Sequence, residues 1–585
     1  MMHLNVLHRT DAPHKYPTVR KQQDLVHRLG IKSTVFIQYA ELFNDQAIAD
    51  ALQDEKEFGD EIGLGLHRLG GPELDALSHG NESIWLFPCE RKLEILERIL
   101  ARYREVFGRN PVSVASYHLD SSSLNILREL SPDTEIVVGG CFEEGVRVYH
   151  GCNHSWYLFN EGMPWNPWWP SKTHSLRPAK NEADANGIIA VPHLMRDMSL
   201  AYEDRDDFWA SHPPNVMRGW GNLGSYCPYD RNLIDQYRMQ ERWNGGYSYY
   251  NSFVSAGWLI YNKNIEVPPI VAWDLYTRFL ENFVELRVQG ALQDMTLAEY
   301  AQWFRAHRPI QREPEVYWAK EMLYGSGKHY IWFQDSSQRV LIDADQGGSI
   351  GDWRPYAAEA AVATGPDTPF REIGSYPYLI QSQFRTGFSN HHKDGSRTTL
   401  FVSDGKETID LATCRTKCRS IERRDEKVIV TLKPATIRFS SGLEAQIESV
   451  FRFHLDGQTL VERKLISLSD PKATLRIKEY VKACHGLTEY AEDLHDVTLV
   501  IADGAVQEMP FEYLGRIVEK PKAAMVQARI RSLGVTMELK PALGLATSGE
   551  FREGYLFNPY FTLALDYTLE LGRSVQSWIS LRKTS

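Results

Sequence analysis

The strongest constraint on this chain is a change of rhythm partway along it. Up to about residue 325 short apolar runs alternate with helical patterns, and beyond about residue 330 alternating strands take over. Strand–helix alternation predicts parallel strands joined by crossover helices, because parallel neighbours cannot be linked by a tight turn. LNVL (4–7), STVFI (33–37), EIGLGL (61–66), SVASYHL (113–119) and the runs at 135–138 and 188–191 read as strands, with helices near 18–29 and 90–107. In the second helix Leu93, Leu96, Ile99, Leu100, Tyr103 and Phe107 recur at i, i+3 and i+4 and predict one packed stripe. In the C-terminal half KVIVTLK, ATIRFSS, QIESVFRFHL, TLVERKLISL and TLRIKEYVKA alternate with period two and are separated by turns such as HLDGQT. The expected architecture is therefore α/β, a β/α barrel over 1–325 followed by a large antiparallel β-sandwich over 326–585.

Composition narrows the function classes. At 585 residues the chain exceeds what one core supports, which agrees with two domains. A net charge of −11 lacks the clustered basic surface that nucleic-acid binding requires. No apolar run reaches the ~18 residues of a membrane span, and MMHLNVLHRTD has no secretory pattern, so a cytoplasmic location is expected. Seven irregularly spaced cysteines argue against a disulfide framework.

In parallel β/α folds the chemistry sits just past the C-terminal ends of the strands. Strand 4–7 runs into His8, Arg9 and Asp11. Strand 61–66 runs into His67. Strand 113–119 carries His118 and ends at Asp120, which Ser121–Ser123 follow as a helix start. Strand 135–138 leads to Glu143 and Glu144, of which alternation lets only one face a site. Strand 188–191 leads to His193, Arg196 and Asp197. Twelve of fifteen tryptophans precede residue 325, and EGMPWNPWWPSKTH (161–174) concentrates three of them around prolines.

The order of these pieces resembles the barrel of polysaccharide deacetylases and the related seven-stranded barrels of glycoside hydrolase families 57 and 38. The resemblance rests on a strand ending Arg-x-Asp, a helix, LGIKSTVFI, FGDEIGLGLH and an amphipathic helix ending REVFGRNPVSVASY, over roughly 4–210. It implies a (β/α)7-type barrel, and the C-terminal half resembles the sandwich of those enzymes and of sugar mutarotases. In the deacetylases an Asp after the first strand and an HxxxH pair bind a divalent metal. Asp11 and His67 match, but Gly71 stands where the second histidine belongs. Family 57 enzymes carry a nucleophilic carboxylate after the fourth strand and an acid/base Asp after a later one. Asp120 and Asp197 match those places, although the family uses Glu at the first.

Glycosidic cleavage needs one protonated and one ionised carboxyl group across the anomeric carbon. The expected function is thus a glycoside hydrolase with Asp120 and Asp197 as the pair and Glu143 or Glu144 in reserve. His8, Arg9, Asp11, His67, His118, Glu161, His193 and Arg196 would bind sugar hydroxyls, and Trp165, Trp168 and Trp169 would stack on sugar faces. The alternatives are a metal-dependent carbohydrate deacetylase using Asp11 and His67, or a non-catalytic glycan-binding relative. No cofactor is expected outside the metal-dependent alternative. The partner is an oligosaccharide or glycoside, with neither nucleic acid nor membrane, and a homo-oligomer remains open.

Overall fold

The computed structural model describes the chain apart from residues 11–12, 79–83, 140–161, 194, 196–197, 200–228, 261–267, 312, 322–326, 359–375, 377–378, 382–395, 425–426, 456, 484–496, 504, 511–516, 519–523, 542–545, 554–558 and 585. It divides into two compact units, 1–312 with 361–376, and 313–360 with 377–585. Among the described residues no helix is long and apolar enough to cross a membrane.

The first unit is built on one parallel sheet. Its strands are β1 (Met2–Arg9), β2 (Ser33–Gln38), β3 (Glu61–Gly65), β4 (Ser113–Ala115), β5 (Ile136–Val138), β6 (Ile189–Val191), β7 (Ser248–Phe253) and β8 (Leu292–Asp294). They run in the order β6-β5-β4-β3-β2-β1-β7, and β8 pairs with Met2–Leu4 of β1. The ladders between neighbours are parallel throughout. Neighbours in sequence are neighbours in space, as the alternating pattern predicts for a barrel wound in one direction. The edges β6 and β7 approach each other, for Asn251 Nδ2 on β7 donates to the carbonyl of Pro192, just past β6, at 2.5 Å. The sheet is a half-barrel bridged by a side chain at its open seam.

The helices α1 (Tyr16–Arg28), α2 (Asp45–Phe58), α3 (Cys89–Phe107) and α4 (Ser121–Leu130) follow the first four strands in the crossover pattern. Asn44 caps α2 by accepting from the Ala47 amide at 3.3 Å, and Gly59 ends it at φ 75°, a conformation costly for residues with a Cβ. In α3 the buried set is Lys92, Ile95, Leu96, Ile99, Leu100 and Tyr103, while Leu93 is exposed. The stripe is rotated from the expected one so that a lysine lies inward. The fourth strand also differs: it ends at Ala115, and Ser116–Asp120 leave the ladder to start α4.

The two glycines of EIGLGL have a physical reason. A Cβ on Gly63 would lie 2.6 Å from both the Phe36 ring and Ser113 Oγ, and one on Gly65 would overlap the Gln38 carboxamide. β3 therefore leaves room for side chains of β2 to lie across its backbone.

Among the described residues the second unit is built of antiparallel sheets of five, six and ten strands. The strand Glu444–His454 alternates buried and half-buried residues along its whole length, the period-two signature of a sheet with one face on a core. Cys414 and Cys418 carry free thiols.

Gly63→Ala should destabilise the first unit by about 1–3 kcal/mol through overpacking against Phe36 and Ser113. Urea unfolding followed by near-UV circular dichroism measures this, and an unchanged midpoint would show that β2 and β4 yield freely.

Candidate active site

Side chains alternate along a strand, so the end of β1 sends His8 and Arg9 to opposite faces. His8 turns to the helical layer. Its Nδ1 bonds Gln23 Oε1 on α1, and its Nε2 lies 2.6 Å from Tyr276 Oη on α6 once α5 (Tyr229–Arg238) and α6 (Pro269–Val288) are counted in chain order. Burial lowers its pKa to about 4, and the Gln23 bond opposes this only in part. His8 is thus a structural histidine under the strand ends, and the expected sugar contact is replaced by packing.

Arg9 turns the other way. Its Nη2 lies 3.4 Å from Ser255 Oγ, and its guanidinium sits 5.0 Å from the Tyr117 ring centroid. His67, two residues past β3, meets Tyr117 edge-on at 4.9 Å and Phe253 edge-on at 5.4 Å. His193, two residues past β6, lies 4.5 Å from Phe253 and 5.3 Å from Tyr117 between ring centroids. The Nε2 atoms of His67 and His193 are 2.8 Å apart, a hydrogen bond between imidazoles. Burial, then the Arg9 charge, then His193 hold His67 well below the usual histidine range, so it is neutral at pH 7. Residues from the ends of β1, β3, β4, β6 and β7 thus form one cluster, with Tyr117 its half-buried member.

The position of the proton between the two rings follows from Gln38. Its Oε1 accepts from the backbone amides of His67 and Arg68 at 3.1 and 3.2 Å, so its Nε2 is the end that faces His67 Nδ1 at 3.3 Å. His67 Nδ1 therefore accepts, and its own proton sits on Nε2, pointing at His193. Only one of the two facing Nε2 atoms offers a lone pair, so the pair as hydrogen-bonded does not fit a divalent metal.

The second cluster lies on the other side of the β4 end, where His118 points away from Tyr117. Asp120 is fully enclosed. It pairs with Lys92 Nζ at 2.6 Å and accepts from the hydroxyls of Ser122 and Ser123, and neither charged side chain is more than 1% exposed. Burial opposes ionisation, but the Lys92 charge and these hydrogen bonds outweigh it and hold the carboxyl well below the usual aspartate range. His118 packs edge-on against Trp85 at 5.6 Å, and His174 against Tyr376 at 4.9 Å. Burial, then His118, keep His174 neutral against the pull of Asp120. Asp120 and His118 thus stand apart from the histidine pair.

The tryptophans also have internal partners. Trp168 forms an antiparallel bridge to Ala190, adding a short edge to β6, and its Nε1 donates to the Ser175 carbonyl at 2.9 Å. Trp169 donates to the Arg308 carbonyl at 3.1 Å beside Phe304 of α7 (Leu297–His307), with Arg305 over its ring. Trp165 is 3% exposed. The proline-broken segment covers a sheet edge, and these indole faces are not presented as a sugar platform. Asp11, Glu143, Glu144, Glu161, Arg196 and Asp197 lie outside the described residues.

One further group of potential ligands, His27, Asp54 and Asp60, sits at the N-terminal end of β3. Arg20 pairs with Asp54 at 2.6 Å, and His27 and Gln23 bond Asp60 at 2.8 and 2.9 Å, so the charges are met internally. Sequence reasoning did not single out Gln38, Lys92, Tyr117, Phe253 or Ser255. Tyr117 alone carried a signal, as the neighbour of a named strand-end histidine.

No family model and no curated protein matches the chain. Solved structures that it is similar to include a protein from Parabacteroides distasonis provisionally assigned as a glycoside hydrolase/deacetylase, at 13% identity and a TM-score of 0.45, over 63% of this chain and 88% of that one. Another is the 4-alpha-glucanotransferase from Thermococcus litoralis, at 9% identity and a TM-score of 0.30, over 100% and 99% of the two chains. A galactose mutarotase-like protein from Clostridium acetobutylicum matches at 10% identity and a TM-score of 0.30, over 46% of this chain and 98% of that one.

Removing one member of the buried Lys92–Asp120 pair strands the other. Lys92→Met should therefore cost about 3–5 kcal/mol, and the double replacement Lys92→Met/Asp120→Leu distinctly less. Because the folded Asp120 pKa is depressed, its contribution is fully present above the unfolded aspartate pKa and is lost as pH falls through the lower folded value. Urea titrations between pH 3 and 7 should show the Lys92→Met deficit shrinking towards the acid end.

Proposed function

We propose that this chain is a carbohydrate-active hydrolase that cleaves a glycosidic bond, with substrate lying over the C-terminal ends of β1, β3, β4 and β6. The observation that carries this reading is the convergence of Arg9, His67, Tyr117 and His193 from four strands onto one cluster. A guanidinium, the imidazole of His193 and a half-buried phenol ring offer the mixture of polar groups and flat apolar surface by which a hydroxyl-rich ligand is held.

The reaction needs an ionised carboxylate and a protonated one. Asp120 is ionised, but its oxygens are engaged by Lys92, Ser122 and Ser123, which suits an anchor for the β4 end. The reacting pair is assigned instead to Asp11, two residues past Arg9, and Asp197, four past His193. Arg9 and His193 then orient sugar hydroxyls.

The test is a panel of aryl glycosides and oligosaccharides, with reducing sugar and acetate both measured. Asp11→Asn and Asp197→Asn should each lower kcat/KM by about 100-fold or more with an unchanged melting temperature, while Asp120→Asn should chiefly lower the melting temperature. Acetate release that chelation abolishes, with no reducing sugar formed, would replace this reading with deacetylation.

A further inference from the structure

We propose that Gln38 is the positioning residue that decides what the histidine pair can do. Its carboxamide fixes His67 as an Nε2–H donor to His193, which makes the pair a neutral hydrogen-bonding unit and denies it to a metal ion. This goes beyond the choice of substrate and does not depend on which bond is cut.

The Gln38 side chain is fully enclosed and lies across Gly65, in space that any Cβ would occupy. Its orientation is imposed by two backbone donors, His67 N–H and Arg68 N–H, which only the carbonyl end can meet. The amide N–H then points at His67 Nδ1. A ring protonated at Nδ1 would set donor against donor, so the proton belongs on Nε2. His193 Nε2, 2.8 Å away, must accept, which leaves the proton of a neutral His193 on Nδ1. Metal-binding histidines have the reverse arrangement, in which the distal nitrogen donates to a carboxylate or carbonyl and the proximal lone pair faces the ion. Here an amide donor stands where that acceptor would be.

The consequence is functional. A neutral imidazole with a fixed N–H can polarise a substrate oxygen without giving up a full proton. His193 has that form only while His67 donates to it, and His67 does so only while Gln38 keeps its orientation. The glycine at 65 and the glutamine at 38 are thus one device split between two strands.

The test begins with the parent protein labelled with 15N-histidine, the rings assigned by His67→Gln and His193→Gln variants. The expected pattern is His67 protonated at Nε2 and His193 at Nδ1. Calorimetry with Zn2+ and absorption with Co2+ should show no stoichiometric site in the parent that depends on His193. Gln38→Glu keeps an acceptor for both backbone amides and places a carboxylate oxygen against Nδ1. It should reverse the His67–His193 hydrogen bond and raise zinc affinity by about 10–100-fold, a gain lost again in Gln38→Glu/His193→Gln. Gly65→Ala, which displaces the amide without adding charge, should abolish the parent 15N pattern.

A parent His67 protonated at Nδ1 would overturn the proposal. So would one tight zinc in the parent that His193→Gln removes, or a folded Gln38→Glu protein with unchanged tautomers and affinity. Because the parent pattern requires no variant at position 38, poor folding of Gln38→Glu leaves the question answerable.

Discussion

The rest of the barrel depends on burying β1 together with the polar residues it carries. All eight residues from Met2 to Arg9 are buried, and the strand carries ladders to β2, β7 and β8. A buried polar group without a partner costs about 1–3 kcal/mol, so each polar residue of this strand demands a specific neighbour. The His3 ring packs against Trp303 at a tilt of 37°. Asn5 donates to the carbonyls of Met295 and Thr296 and accepts from Tyr249. His8 takes Gln23 and Tyr276, and Arg9 takes Ser255 and Tyr117. These partners come from α1, β4, β7, α6 and α7 or their flanking turns, so satisfying one strand fixes elements far apart in the chain. Arg9 reaches the strand-end face because the alternation imposed by the sheet gives it the side opposite to His8.

Sequence periodicity made the elements legible but not the inward face of each one. The strands and the helices near 18–29 and 90–107 lie close to where period-two and period-3.6 patterns put them. The α3 stripe was misjudged because hydrophobicity placed Leu93 inside and Lys92 outside. Lys92 is buried for the sake of Asp120, 28 residues away, and a long-range ion pair leaves no periodic trace. For the same reason the Asp120 segment read equally well as a site or a helix start. The sandwich strands were plain because alternating burial is a local property.

The tryptophan-rich segment shows a different limit. Its composition suggested an exposed aromatic platform, since prolines exclude regular structure. The backbone nevertheless pairs with Ala190 of β6, and further bridges join Pro170 to Pro178 and Ser171 to Ala185. A parallel half-barrel leaves β6 with an unpaired edge, and covering such an edge suppresses pairing with foreign strands. Prolines tolerate that position because an edge strand leaves some amides without a ladder partner, and the indoles fill the volume behind it.

The candidate site was half legible for a reason rooted in alternation. Strand-end reasoning named Arg9, His67 and His193, which the fold unites, and also His8, His118 and Asp120, which it sends elsewhere. One position along a strand or its extension reverses the face, so Tyr117 joins the histidine pair while His118 packs on Trp85. The electrostatics then separate the two faces of the β4 end. On one, an ionised carboxylate is locked to Lys92 and cannot donate a proton. On the other, burial and then the Arg9 charge keep His67 neutral, and its one N–H is given to His193. Such a surface orients oxygen atoms well but does not itself supply the anionic partner that glycosidic cleavage requires. In the sequence Asp11 follows Arg9 by two residues and Asp197 follows His193 by four, and the proposed glycosidic cleavage rests on these two acids.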